Sequence, residues 1–523
     1  MTRPQGSPLV RKYLEGDAEV EALYGGGFRT LARFEEKAAE VDGRFDREAR
    51  ARAARAMLAP EGADPERLSR WVEDGGLLVT TGQQPGLFGG PLYGIHKALT
   101  AVRLAEELER RLERPVLPLF WIASDDHDWA EANHADIVGV DNELHRFELP
   151  HPEPDRSPPL HRIPLDHAVV DAVDDFVGSL PETDFTPDLV TLLRESFTEG
   201  STLPQGYQAV MRALLGRFGL YLTDAADPAV KEASAALMLE ELGRAEELEG
   251  VLRETADTLE GLGHALQVPI MQGGVNLFLE GSAGRERLYR EDGGFRLRTS
   301  GESVDDAAIR ARFEDDPKVL SPNVLLRPVV ESAVFPTLAY VGGPGEMAYF
   351  GQLGAYFSAH GIGMPVVFPR WAATTVESKV RKVLDKFDLE IARLEQPFHE
   401  LASEIAQEET PKEVRAALGK LRGTIAQGVS ELQSVTASVD PTLKGPVQHV
   451  RSQAFAALDD LERKIGQAVK RESEIALSQL EKARIHLYPD GKPAERVHNV
   501  FYFLARYGEG FLDALYERFH VEV

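Results

Sequence analysis

The strongest constraint on what this chain can fold into lies between Leu77 and Ser124, where four patterns follow one another without interruption. Leu77-Leu78-Val79-Thr80-Thr81 is an apolar, β-branched run that breaks into a glycine-rich loop, GQQPGLFGGPLYG. A helical pattern starts near Ile95, with Leu99, Val102 and Leu108 on one face and EELERRLER on the other, and Pro115 stops it. PVLPLFWIAS then reads as a second buried strand by length and composition. Strand, loop, helix, strand is a βαβ unit, and its handedness predicts a parallel sheet.

The rest of the chain arranges itself around that unit. Residues 1–70 read as helical, with an Ala/Arg/Glu-rich stretch from Phe34 to Leu58 ending at Pro60. Further strands are predicted at Leu220–Thr223, Asn276–Leu279, Ala339–Val341 and Pro365–Phe368, separated by helical insertions over Pro187–Gly219 and Pro228–Leu266. Glu280 to Arg312 is polar and Gly-rich, as in a small hairpin or peripheral lobe. After Trp371 the apolar residues step by three and four in three runs, Val376 to Ile405, Val414 to Leu432 and Val450 to Val469, with Pro411 and Pro441 at the joints. That is the spacing of a helical hairpin or coiled-coil arm. Its stripe serves either the arm's own core or contact with a second copy. The tail from His486 reads as a turn and two short aromatic-rich helices. The expected domains are 1–373, with inserted lobes over about 150–330, then the arm at 374–486 and the tail at 487–523.

Composition narrows the function. The formal charge is −27, which argues against a surface that coats nucleic acid. There is no cysteine, so disulfides, a thiol nucleophile and Cys-held zinc or iron–sulfur centres are excluded. Any metal falls to His and carboxylates. No apolar run approaches the ~18 residues of a membrane span, and the N-terminus lacks a signal-peptide core, which predicts a cytoplasmic protein.

Three segments concentrate reactive groups. Gly82–Gly94 sits at the end of the first strand and leads into a helix, a setting that suits phosphate, and it packs Gln83, Gln84, Tyr93, His96 and Lys97 into one turn. It is neither a Walker loop nor a dinucleotide fingerprint, because the spacings differ. SDDHDWAEANH, residues 124–134, ends the second strand with clustered like charges. In a helix, His127, Glu131 and His134 share a face suited to a metal. The alternatives are capping by Asp125 or Asp126 and binding of a cationic or polyhydroxyl substrate. In residues 321–353, Gly342-Gly343-Pro344-Gly345 is a turn suited to an anion or ribose. Arg327 and Arg370 are each paired internally or aimed at a carboxylate.

The passages TTGQQPGLFGGPLYGIHKAL, FWIASDDHDWAEANHADI, SPNVLLRPVVES, AYVGGPGEMAYFGQL, PVVFPRW and ERVHNVFYFLARYG, in this order, resemble the BshC family of bacillithiol biosynthesis. The resemblance spans nearly the whole chain. It implies an α/β fold with a Rossmann-like core akin to class I aminoacyl-tRNA synthetases, inserted connecting lobes, and a C-terminal coiled coil that makes a homodimer. It also implies a ligase that joins the cysteine carboxylate to the amine of glucosaminyl-malate. Synthetases of that class carry H-I-G-H at the start of the first crossover helix. Here Tyr93-Gly94-Ile95-His96 keeps the second His only, and Glu377-Ser378-Lys379 is a faint echo of K-M-S-K-S.

Under this resemblance ATP activates cysteine, with no metal beyond possible Mg on the nucleotide. His96, Asp126, His127 and Asp128 are the catalytic candidates, one of the last three taking the proton from the amine. Gly82, Gln83, Gln84, Gly86, Gly89, Gly90, Tyr93 and Lys97, with Gly343, Gly345 and Glu346, are the nucleotide candidates. Asp125, His134, Asn323, Arg327 and Arg370 are the substrate candidates. Two rivals stay open: a nucleotidyltransferase-like enzyme on another sugar or amine, and a non-catalytic nucleotide-binding assembly protein. No nucleic-acid or membrane partner is expected.

Overall fold

The computed structural model describes residues 2–4, 6–409, 412–472 and 474–523, so Pro411 and the side chain of Val469 lie outside the described residues. The chain forms two compact units, Met1–Ala373 with Glu495–Val523, and Thr374–Ala494. The return to the first unit thus falls at Glu495, not after residue 486 as the pattern suggested.

The strands are β1 (Leu77–Gln83), β2 (Val116–Ile122), β3 (His134–Val138), β4 (Leu144–Glu148), β5 (Tyr221–Asp224), β6 (Gly274–Gly281), β7 (Gly284–Glu291), β8 (Gly294–Leu297), β9 (Ser303–Val304), β10 (Leu320–Pro322), β11 (Thr337–Gly342) and β12 (Val366–Pro369). The main sheet has the order β12-β11-β1-β2-β5, and every pair in it is parallel. β1 and β2 run in register from Leu77 opposite Val116 to Gln83 opposite Ile122. β2 is buried throughout and β1 everywhere but Gln83, which is why both read as continuous apolar runs. The crossover helix Tyr93–Leu112 buries Ile95, Leu99, Val102 and Leu108, packs Ala101, Leu104, Ala105 and Leu108 into the core around β1 and β2, and ends at Glu113 in a left-handed conformation. From β1 the chain builds outward through β2 and β5, then returns to add β11 and β12 on the other side. The order therefore reverses between β1 and β11, where open α/β sheets bind ligands at the carboxyl ends of the strands.

The inserted region is two segments, because β5 belongs to the main sheet. The first segment carries the β3–β4 hairpin and three helices, Ala168–Gly178, Thr186–Ser196 and Leu203–Leu215. The second carries helices Pro228–Gly243 and Ala245–Gly261 and an antiparallel sheet of order β10-β6-β7-β8-β9. The hairpin was not predicted. Its signal is the Asp141-Asn142 turn, with Asn142 at φ 65°, between two alternating runs. No helix among the described residues is long and apolar enough to cross a membrane.

In the second unit the first apolar run is not one helix. Helix Ser378–Lys386 ends before Asp388, a left-handed residue, and a single 3-10 stretch, Ile391–Glu395, precedes Pro397 and helix Phe398–Glu409. Leu384, Leu394, Leu401 and Ile405 from this run bury against Leu480, Ala483 and Leu487 of helix Glu474–Leu487. Leu394 is fully buried inside its own unit, so the stripe from Val376 to Ile405 is core. Helices Lys412–Val439 and Lys444–Glu472 form a hairpin closed by Asp440, whose carboxylate accepts from the Thr442 amide. On these two helices Leu421, Leu432, Val435, Val439, Val450 and Leu461 remain exposed.

Candidate functional site

A cavity of about 500 Å³ opens at the switch point. The end of β1 gives it Gly82 to Gln84, the end of β2 Asp125 to His127, the end of β11 Gly343 to Glu346, and the end of β12 Arg370. Six cations line it, Lys97, Arg285, Arg287, Arg327, Arg370 and Arg496, against the four carboxylates of Asp125, Asp126, Glu131 and Glu346. In a chain of charge −27 this excess of positive groups is local, and it favours an anionic ligand. A second cavity, of about 560 Å³, lies at the amino ends of β2 and β5, where Arg67 and Glu109 neutralise each other through two hydrogen bonds. The first, at the switch point, is the candidate site.

Most of the charges are held by partners. The buried Lys97 ammonium lies 2.6 Å from Glu346 and donates to the Gly82 carbonyl and to Gln83 Oε1. Glu346 also accepts from the Tyr340 hydroxyl and from the Gly343 amide. Burial would raise its pKa, but Lys97 and these donors hold it below the ordinary carboxylate range. Arg327 donates to Glu331 at 2.7 Å and reaches the hydroxyls of Tyr340 and Tyr349 at 3.3 Å. Arg370 makes two bonds to Glu495, at 3.0 and 2.6 Å, and one to the Trp371 carbonyl. Both arginines are thus paired internally.

Glu495 also takes His96, whose Nδ1 lies 2.8 Å from Oε2. Burial opposes its ionisation, yet His96 and Arg370 bring its pKa down to about 2. His96 is fully buried, with Phe519 edge-on, and it does not line the cavity. The expected catalytic role is corrected accordingly: His96 locks the C-terminal segment to the crossover helix. Burial lowers its pKa, which favours the neutral ring.

At the acidic strand end the expected helix is a single turn, Trp129–Ala132. His127 precedes it and His134 opens β3, so His127, Glu131 and His134 do not share a helix face. Among the described residues no group of three His, Asp or Glu side chains is placed to hold a metal. The cap is Asp128, which accepts from the Glu131 amide, and not Asp125 or Asp126. Asp128 and His134 lie off the cavity, His134 bonding the Ala130 carbonyl. Asp125 lies 3.6 Å from the buried Lys231. Burial resists ionisation of Asp126, but contacts from the His127 ring and amide and the charge of Arg285 bring it to about 2. Asn323 lines the cavity while its own oxygen caps the Leu325 and Leu326 amides.

The glycine loop divides. Gly82, Gln83, Gln84 and Tyr93 line the cavity, with Gln83 donating to the Tyr93 hydroxyl. Gly86, Gly89 and Gly90 do not. A Cβ on Gly86 would sit 2.7 Å from the Gly90 Cα, one on Gly89 would meet Val210, and Asn499 holds the Phe88 and Gly90 carbonyls from the C-terminal segment. These glycines serve close packing, which corrects their assignment to phosphate. Gly343 and Gly345 do face the cavity, but the Gly343 amide is taken by Glu346.

Three charged side chains on the cavity have no hydrogen-bond or ion-pair partner among the described residues: Arg287, Arg496 and Glu131. None was singled out from sequence as a cavity charge, although Arg496 opens the ERVHNVFYFLARYG passage after Glu495. Arg285 was missed as well. It stacks on Phe278 at 3.9 Å, bonds Ser321 and the Pro322 carbonyl, and points Nη1 at His127 Nδ1, 3.0 Å away.

Residues 1–371 match the family described as "Bacillithiol biosynthesis BshC, N-terminal Rossmann-like domain", and residues 373–522 match "Bacillithiol biosynthesis BshC, C-terminal coiled-coil domain". Relatives carrying the name "Putative cysteine ligase BshC" include one from Salinibacter ruber, 32% identical over 84% of this chain and 80% of its own. Those from Koribacter versatilis and Symbiobacterium thermophilum are 31% and 32% identical and cover 98% and 99% of this chain and 95% and 96% of their own. The chain belongs to the BshC family of bacillithiol biosynthesis and joins that family's Rossmann-like domain to its coiled-coil domain.

Proposed function

We propose that the protein is a ligase that forms an amide between the carboxylate of L-cysteine and the amine of glucosaminyl-malate, after ATP has activated the carboxylate. The observation that carries this reading is the pair of unpartnered guanidiniums, Arg287 and Arg496, on a cationic cavity at the switch point. A malate dicarboxylate or a phosphate fits them, since guanidinium binds both bidentately. The relatives' name supplies the cysteine. A carboxylate is a poor acylating group, so amide formation requires an activated form, and ATP supplies that by turning the carboxylate oxygen into a phosphate leaving group. Gln84 at the end of β1 and the open edge of Gly345 remain for the nucleotide, while Gly86, Gly89 and Gly90 do not, and Tyr93 and Lys97 hold both ends of the Gln83 amide.

The test is reconstitution of purified protein with L-cysteine, glucosaminyl-malate and ATP, followed by mass spectrometry. The thiol product is expected only when ATP is present. Nucleotide consumption without the thiol, or no reaction at all, would remove the ligase reading. We propose further that the exposed apolar residues of the helical hairpin, Val435 and Val439 foremost, meet a second copy. Sedimentation should show a dimer that Val435→Glu weakens; a wild-type monomer would end that idea.

A further inference from the structure

We infer that Glu131 is the general base that takes the proton from the attacking amine. The inference rests on the ligase reading above and goes further by choosing among the groups at the end of β2. The natural choice by residue type is His127, and the geometry argues against it. A guanidinium has only donors. Arg285 Nη1 at 3.0 Å is nearer to His127 Nδ1 than Asp126 Oδ1 at 3.4 Å, so in the neutral ring Nδ1 accepts from the guanidinium, the proton sits on Nε2 and the one basic lone pair is already used. His127 is left as an N–H donor toward the cavity.

The carboxylates differ in the same way. Asp126 lies beside His127 and 3.6 Å from Arg285, Asp125 faces Lys231, and Glu346 is held by Lys97, Tyr340 and the Gly343 amide. Asp126 and Glu346 are stabilised anions and poor proton acceptors, and Asp125 is engaged by Lys231. Glu131 lines the cavity with no partner for its side chain, while its amide is fixed by the Asp128 cap. The charged groups around it are Asp126 and Asp128 on its own segment, Lys97 on the crossover helix and Arg496 on the C-terminal segment, with Tyr93 nearby. Partial desolvation in the cavity, then Asp128 and Asp126, raise its pKa against the opposing pull of Lys97 and Arg496. A carboxylate with a raised pKa is better matched to a proton held by an ammonium.

An N–H bond of the substrate ammonium breaks as an O–H bond forms on Glu131. The freed nitrogen lone pair makes the C–N bond at the carbonyl of the activated cysteine, a mixed anhydride with a phosphate. The acyl–oxygen bond breaks, its electron pair leaves with the phosphate oxygen, and the nitrogen's second proton passes to water.

Glu131→Gln keeps the size of the side chain and the capped amide but cannot accept a proton. Amide formation should fall by roughly 10²–10⁴-fold. The wild-type rate should drop as pH falls through the pKa of Glu131. The variant should lack that acid limb, and its residual rate should climb toward alkaline pH, where the substrate amine loses its own proton. Hydroxylamine, already largely unprotonated at neutral pH, needs no base, so ATP-dependent cysteine hydroxamate should form in the variant at close to the wild-type rate. That partial reaction also reports that the variant is folded. A Glu131→Gln protein that makes the thiol product within about threefold of wild type, or that loses hydroxamate and amide formation equally, overturns the role. A wild-type protein that makes hydroxamate or thiol under no condition overturns the ligase reading and the role with it.

Discussion

Two glycine-rich turns follow neighbouring parallel strands, Gly82–Gly90 after β1 and Gly342–Gly345 after β11, and they are used differently. The first leaves the cavity after Gln84 and spends its glycines on packing against itself, Val210 and the C-terminal segment. The second stays on the cavity, yet its own Glu346 occupies the Gly343 amide and neutralises Lys97. In neither case does glycine content mark a ligand. It marks where backbone must come close or turn sharply, and in the function proposed above the ligand-facing groups are the charges that the fold leaves without partners.

The largest expected effect tests whether Glu346 is structural or stands where a ligand anion belongs. Glu346→Gln leaves the Lys97 ammonium, 4% exposed, without its counter-ion. Breaking a buried pair from one side costs about 3–5 kcal/mol, which chemical denaturation would read. If the variant loses less than about 1 kcal/mol and binds ATP more tightly, Glu346 is a placeholder for phosphate and the second turn is a ligand loop after all.

A second test uses pH at the neighbouring strand end. His161 donates from Nδ1 to the Ser124 carbonyl, and the Leu160 amide donates to the Asp126 carbonyl, so this segment clamps the loop that carries Asp126 and His127. Burial lowers the His161 pKa from 6.5 to about 4. The folded value is depressed, so the unfolded chain binds the proton first as acid is added. The stabilisation is complete above 6.5 and is lost as pH falls from 6.5 toward 4, on the order of 2–3 kcal/mol. Urea midpoints at pH 7.5 and 5 should converge for wild type and His161→Gln, the variant changing less. His96 shifts in the same direction, so the variant keeps part of the dependence. Equal pH responses would mean that His161 clamps nothing.

How much of this was legible in the sequence follows from what each signal measures. The parallel strands were, because burial on both faces leaves unbroken apolar runs such as Val116–Ile122. The helical hairpin was too, from its three-and-four spacing. The β3–β4 hairpin was not, since HADIV reads as well in a helix once SDDHDWAEAN has been taken as its first turns. Site residues were legible as types and illegible as partners. Nothing local says that Arg370 pairs with Glu495, 125 positions away, or that Arg285 reaches His127 from another sheet. Pairing across such distances decides which charges stay free, and it exists only in the fold.

The smallest effects come from making one change in both turns. Gly90 adopts φ 67°, ψ −169°, a region open almost only to glycine, so Gly90→Ala should cost about 1–3 kcal/mol. Gly345 has an ordinary φ, and a Cβ there meets nothing within 4 Å. Gly345→Ala should therefore leave stability within about 0.5 kcal/mol of wild type. The added methyl stands on the cavity wall, so any consequence belongs to binding: a KM for the nucleotide or the anionic substrate raised less than tenfold, at unchanged kcat. Thermal melts and steady-state kinetics on both variants separate the two roles. A stable Gly90→Ala protein with a weakened KM, beside a Gly345→Ala protein altered in neither respect, would reverse the assignment and return the ligand to the first turn.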